Sequence, residues 1–149
     1  MEEAAAFAEV FAAYEIAWAV RRSAIFEPEN QELRDVLSDY YGGENLVILE
    51  EFLDEYVVSD ERTRPNPEAP NSVELLAQES LSEDGEVAAI LVCEILTEIV
   101  FEPSTGVVTD AEPTSYRSLA FLLLEGGVWR IVQETISVEY PGQSGCGEE

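Results

Sequence analysis

The stretch "EVAAILVCEILTEIVFE", residues 86–102, constrains the fold more than any other. It must leave water, and its Val, Ile, Thr and Phe content favours a β-strand. Side chains alternate between the faces of a strand. The odd positions Val87, Ala89, Leu91, Cys93, Ile95, Thr97, Ile99 and Phe101 form an unbroken face, which is expected to be the core. The even positions carry Ala88, Ile90, Val92, Glu94, Leu96, Glu98 and Val100. Glu94 and Glu98 are expected on an outer, half-solvated face, because charged residues are seldom fully buried unless paired. Two other readings stay open: Glu94 as an acid or base at a pocket rim, and a carboxylate metal site, for which no His is at hand.

The chain before this strand reads as helices. Phe7, Phe11, Tyr14, Trp18 and Ile25 recur at spacings of 4, 3, 4 and 7, one stripe of an amphipathic helix. Pro28 ends it by pushing Glu27 out of helical geometry. A second helix begins near Asn30 and carries Leu33, Val36, Leu37, Tyr40 and Tyr41, until Gly42 and Gly43 break it. A third, "ENLVILEEFLDEYV", places Leu46, Leu49, Phe52, Leu53 and Val57 on one side. The segment "SDERTRPNPEAPN" from Ser59 reads as a loop.

The remainder reads as strands: "SVELLAQESLS", the long run above, "SYRSLAFLLL" and "VWRIVQETISVEY", joined at "EDG", "PSTG" and "EGG". Helices followed by antiparallel strands predict an α+β fold, with the helices on one face of a sheet. Residues 1–140 form one domain in this reading, and 141–149 a flexible, Gly-rich, acidic tail. A two-residue turn at Gly126–Gly127 pairs Leu124 with Trp129, Leu122 with Ile131, Phe121 with Val132, Leu119 with Glu134 and Arg117 with Ile136. Arg117 and Glu134 then become diagonal neighbours, either a surface ion pair or a pair orienting a ligand. Tyr14 and Trp18 read as core residues with polar tips able to face a cavity, and Tyr40 and Tyr41 are similar.

Composition removes several functions. The 149 residues hold 32 Asp and Glu against seven basic residues, all Arg, for a net charge of −25. Such a surface repels phosphate backbones and anionic lipids, which argues against nucleic-acid and membrane-surface binding, although an acidic mimic of a polyanion stays open. No apolar run is long enough to insert into a membrane. With no His there is no Ser-His-Asp or Cys-His arrangement and no His-ligated zinc. No cofactor is expected. Cys93 and Cys146 either form a disulfide in an exported protein or remain a buried and a tail thiol. The opening "MEEAAAFAEV" has no basic n-region. Met1 is the one methionine, which leaves both an intact start and a start after a removed leader open.

The order of elements resembles the nuclear transport factor 2-like, or SnoaL-like, superfamily, in particular its uncharacterised actinobacterial members. The motifs that carry the resemblance are "FAAYEIAWAV", "LSDYYGGENLVILEEFL", "VAAILVCEILTEIVFEPSTGVV" and "LLLEGGVWRIV", spread from about Ala4 to about Tyr140. The resemblance implies a cone: helices wrapped by a strongly curved antiparallel sheet, with a pocket at the open end. It also implies that Tyr14 matches the helix-one Tyr of isomerase-like members, and, because the actinobacterial relatives are often exported lipoproteins, it weighs export with a removed leader slightly above a cytoplasmic location. No Asp stands where either acid of those members would be required.

The function expected is a non-enzymatic module that binds a small apolar ligand or a protein. Tyr14, Trp18, Tyr41, Arg117 and Trp129 are the candidate binding residues. The alternative is a cofactor-free isomerase or cyclase using Tyr14 with Glu94 or Glu134. The chain is expected to be a monomer or a homodimer, the latter through the face containing Ile90, Val92 and Leu96.

Overall fold

A computed structural model describes residues 2–147. Helices come first: α1 (Glu2–Phe26), α2 (Gln31–Val36) with a 3-10 turn at Leu37–Asp39, and α3 (Gly43–Val58). The strands follow: β1 (Arg62–Arg64), β2 (Ser72–Leu81), β3 (Val87–Leu96), β4 (Ile99–Phe101), β5 (Val108–Asp110), β6 (Thr114–Glu125) and β7 (Val128–Pro141). They form a four-stranded sheet in the order β2-β3-β6-β7 and a small sheet in the order β1-β4-β5, all pairs antiparallel. The fold is therefore α+β with the helices preceding the sheets, as the pattern predicted.

Local chemistry sets the helix ends. Asn30 caps α2, its Oδ1 accepting from the Leu33 N–H at 3.3 Å. The Gly-Gly break does more than stop a helix. Tyr41 bridges to Ile131 of the last strand, with Gly42 N–H donating to Ile131 O at 3.0 Å and Ile131 N–H to Tyr40 O at 2.9 Å. Gly43 then starts α3 with φ +56°, a conformation that suits glycine.

The core lies between α1, α3 and the large sheet. It contains Val10, Tyr14, Ala17, Trp18 and Ile25 of α1, Leu49 and Leu53 of α3, Ala88, Ile90 and Val92 of β3, Ala120 and Leu122 of β6, and Trp129 and Ile131 of β7. The even face of β3 is thus the inner one, the reverse of the expectation. Glu94 and Glu98 point toward α1 and not to an outer face, because two arginines of that helix neutralise them. Ile90 and Val92 are fully buried under the helices and cannot form a dimer contact.

Cys93 points the other way and is joined to Cys146 by a disulfide. The tail expected to be flexible is therefore fastened across the outer face as far as the described residues go. Ser115 Oγ also donates to Gln143 O at 2.8 Å.

The long strand is broken where Asn71 intrudes. Thr97 N–H donates to Asn71 Oδ1 at 2.7 Å, Thr97 Oγ1 donates to Ala69 O, and Asn71 Nδ2 donates to Glu98 Oε2 at 2.7 Å. These side-chain bonds replace ladder bonds and release residues 99–101 into the small sheet. There β4 pairs with β5 and with β1, a short strand inside the Pro-rich stretch whose composition predicts a loop.

The final hairpin keeps its predicted turn, with φ of +57° and +81° at Gly126 and Gly127. Its register holds from Glu125–Val128 to Leu122–Ile131 and then shifts at two bulges. Phe121 meets Gln133, Ala120 meets Glu134 and Arg117 meets Val138. Each bulge inserts one residue and re-aims those beyond it. Glu134 is thereby turned inward, and its expected pairing with Arg117 is replaced by one with α1.

The Cys93–Cys146 bond closes a loop with a sequence separation of 53. On chain entropy it stabilises the fold by about 4 kcal/mol. Urea unfolding with and without reductant should show a loss of that order, matched by Cys146→Ser. An unchanged midpoint on reduction would refute the account.

Candidate functional site

The apolar stripe of α1 contains one interruption. Between Trp18 and Ile25, where the spacing is seven, Arg21 occupies the position three after Trp18 and four before Ile25. It is therefore carried into the interior with its neighbours. Its guanidinium forks between two strands: one terminal nitrogen donates to Glu134 Oε1 of β7 at 2.7 Å, the other to Glu94 Oε1 of β3 at 2.8 Å. Both carboxylates are 7% exposed and the arginine 13%. The planar fork suits two acceptors at once, which an ammonium could not match in geometry.

Aromatic groups complete the network from behind. Tyr14 OH donates to Glu134 Oε2 at 2.6 Å, and Trp18 Nε1 donates to Glu94 Oε1 at 2.9 Å. Tyr41 OH donates to Ala17 O at 2.9 Å, and its ring centroid lies 5.8 Å from the Arg21 guanidinium carbon. Ser118 Oγ of β6 is 3.4 Å from Glu94 Oε2, the loosest contact of the set. A second ion pair lies alongside, with Arg22 Nε 2.9 Å from Glu98 Oε2.

Burial and charge act together on the titrating groups. Burial raises the Tyr14 pKa well above its ordinary value, reinforced by the charges of Glu134 and Glu94 and the bond to Glu134, against the opposing pull of Arg21. Burial likewise pushes the Tyr41 hydroxyl upward. For Arg21, burial works to lower the pKa, but Glu134, Tyr41, Glu94 and Tyr14 together hold it well above its usual value. The cation is a permanent part of the site.

In front of this network opens a cavity of about 530 Å³, within the ordinary range for small-molecule sites of about 300–1,000 Å³. Its apolar wall comes from Ile25 of α1, Ile48, Leu49 and Phe52 of α3, Leu96 and Ile136. Arg21, Arg22, Glu94, Glu98, Glu134 and Ser118 supply polar lining. Asn45 and the exposed Asp110 and Glu112 also line it. Among the described residues no group of acidic or cysteine side chains is arranged to hold a metal ion.

Tyr14, Trp18, Tyr41, Glu94 and Glu134 are thus brought together, the two glutamates on the cavity and the aromatics behind it. Arg117 and Trp129 are not part of this assembly. Arg117 is the register partner of Cys93, so it belongs to the opposite face of the sheet. Trp129 is buried in the hydrophobic core near the hairpin turn and does not line the cavity. Arg21, Arg22 and Ser118 also line the cavity, and sequence pattern does not single them out. The signal for Arg21 was its place inside an apolar stripe, in a chain with only seven basic residues.

No family model and no curated protein matches the chain by sequence. Among solved structures, the intermembrane space region of the chloroplast protein ARC6 is similar in fold. The TM-score is 0.60 at 12% identity, over 84% of this chain and 91% of that one. At that identity the likeness concerns the fold alone. Among the described residues no helix is long and apolar enough to cross a membrane.

Two outcomes follow from the network. Arg21→Met keeps the length of the side chain but leaves two buried carboxylates without their shared cation, at a cost of about 3–5 kcal/mol. Arg64→Met, on an exposed residue, should cost under about 1 kcal/mol. Equal effects in urea unfolding would show that the fork contributes nothing special.

The tyrosines give a pH dependence. Their folded pKa values lie above the unfolded value of about 10, so their contribution is complete below that pH and is lost as pH rises through the folded values. Thermal melts should stay level in this respect up to about pH 10 and fall beyond it, with tyrosinate absorbance rising as the protein unfolds. Ionisation of all tyrosines well before unfolding would contradict their burial.

Proposed function

We propose that the chain is a non-enzymatic binding module whose cavity takes a small, largely apolar ligand. The observation that carries this reading is a 530 Å³ cavity with apolar walls and polar groups already engaged with one another. Such a wall orients a ligand, while its buried carboxylates Glu94, Glu98 and Glu134 are each held in an ion pair with an arginine of α1. A module of this kind agrees with the resemblance to the nuclear transport factor 2-like superfamily. The ARC6 likeness supports the same general architecture and nothing finer. The Cys93–Cys146 disulfide supports an oxidising, extracytoplasmic setting.

The isomerase or cyclase reading draws support from Glu94 and Glu134, which do stand at the cavity. It draws less from Tyr14. Its hydroxyl is committed to Glu134 at 2.6 Å, and the residue does not line the cavity. An oxyanion needs a donor aimed at the reacting atom.

A neutral, environment-sensitive dye, Nile red, tests the binding reading. One saturable site per chain is expected, with affinity reduced at least about tenfold by Ile136→Trp, which fills the cavity from a half-exposed position. Absence of saturable binding, or binding indifferent to Ile136→Trp in a folded variant, would overturn it.

A further inference from the structure

The polar lining carries information about the ligand. Five carboxylates line the cavity, from Glu94, Glu98, Asp110, Glu112 and Glu134, against the two guanidiniums of Arg21 and Arg22. Both guanidiniums are already engaged: Arg21 by Glu94 and Glu134, Arg22 by Glu98. An anionic headgroup would have to displace a buried carboxylate from its cation, leaving that charge unpaired. It would also meet a field made negative by the remaining acids and by the whole molecule.

A cation meets the opposite situation. Glu94 Oε2 has Ser118 Oγ at 3.4 Å as its described contact, too long to use a carboxylate lone pair well. Thr63 is 5% exposed at the cavity wall, and its Oγ1 has no hydrogen-bond partner among the described residues. Three aromatic residues also line the cavity: Phe52, Tyr56 and Tyr116. Phe52 and Tyr56 meet edge to face with centroids 4.9 Å apart, forming a corner rather than a flat stack. Ring faces attract ammonium groups, most strongly where water is excluded.

We infer that the ligand is a cationic amphiphile, with an apolar body packed on the α3 wall and a protonated amine directed to Glu94 and the aromatic corner. This rests on the reading of the cavity as a ligand pocket and names the ligand's chemical class. The acidity of the chain then has a local use: it concentrates cations near the cavity mouth, where Asp110 and Glu112 stand.

The test uses octylamine, 1-octanol and octanoate, which share a chain length and differ in headgroup charge. Each displaces Nile red from the intact protein at roughly 0.15 M salt, where exposed charges are screened beyond about 8 Å. Octylamine should bind at least about tenfold more tightly than octanol, and octanoate more weakly than either. The exposed pair Asp110→Asn/Glu112→Gln removes two charges without touching the buried network, and should cut the amine preference severalfold. Glu125→Gln, an exposed charge outside the cavity, should leave it unchanged. Octanoate binding as tightly as octylamine, or an equal loss in Glu125→Gln, would overturn the inference while leaving the pocket standing. Failure of Nile red and all three probes to bind would overturn the pocket reading and this inference together.

Discussion

The rest of the structure depends on one cation shared by two strands. Arg21 ties α1 to β3 through Glu94 and to β7 through Glu134, at 2.8 and 2.7 Å. Burying a lone carboxylate in such a place would be prohibitive, and burying two would be worse. The fork makes both tolerable, and Tyr14 and Trp18 occupy further acceptor sites. The arrangement fixes the direction in which α1 crosses the sheet, because an apolar contact tolerates sliding whereas a forked hydrogen-bond pair does not. The cavity in front inherits its polar lining from this requirement.

The cavity and the stability of the fold consequently draw on the same residues. A cavity between a helix and a sheet would ordinarily weaken both, since its walls lack contacts on one side. Here the polar wall is held by charged hydrogen bonds and the apolar wall by α3, whose Leu53 stays in the core, whose Leu49 packs in the core and lines the cavity, and whose Ile48 and Phe52 turn toward the opening. One helix therefore serves both packing and the cavity, with Leu49 shared between them.

Element types were largely legible in the sequence, because the helical stripe of α1, the Gly-Gly break and the Gly126–Gly127 turn each rest on local chemistry. Faces and registers were less so. The inner face of β3 is not legible in the sequence, because both faces are apolar and only one carries charges. Hydropathy alone places the uncharged face inside, and it cannot see that Arg21 and Arg22 lie across from the glutamates. The pairing of Arg117 with Glu134 failed for another reason. Two bulges in β7 each shift the register beyond them, and bulges leave little trace in composition. The break at Thr97 depends on Asn71, 26 residues away, so no window centred on the strand could reveal it. Of the candidate site, Tyr14, Trp18, Tyr41, Glu94 and Glu134 were visible as polar groups in apolar patterns. Their common organiser was not, since an arginine on an apolar stripe passes for an interruption.

Adjacent residues of β3 point in opposite directions, Cys93 to the tail and Glu94 to Arg21. A strand with two apolar faces is poorly specified, because a slip of one residue exchanges the faces while leaving hydrophobic burial much the same. The folding chain meets this ambiguity as surely as any observer of its sequence. A one-residue slip would set Glu94 against the outer surface, leave Arg21 with Glu134 alone and carry the Cys93 thiol away from Cys146. The two neighbours thus act as a two-sided key that admits one alignment, so this central strand is read correctly by its charge and its sulfur where its hydrophobicity is silent.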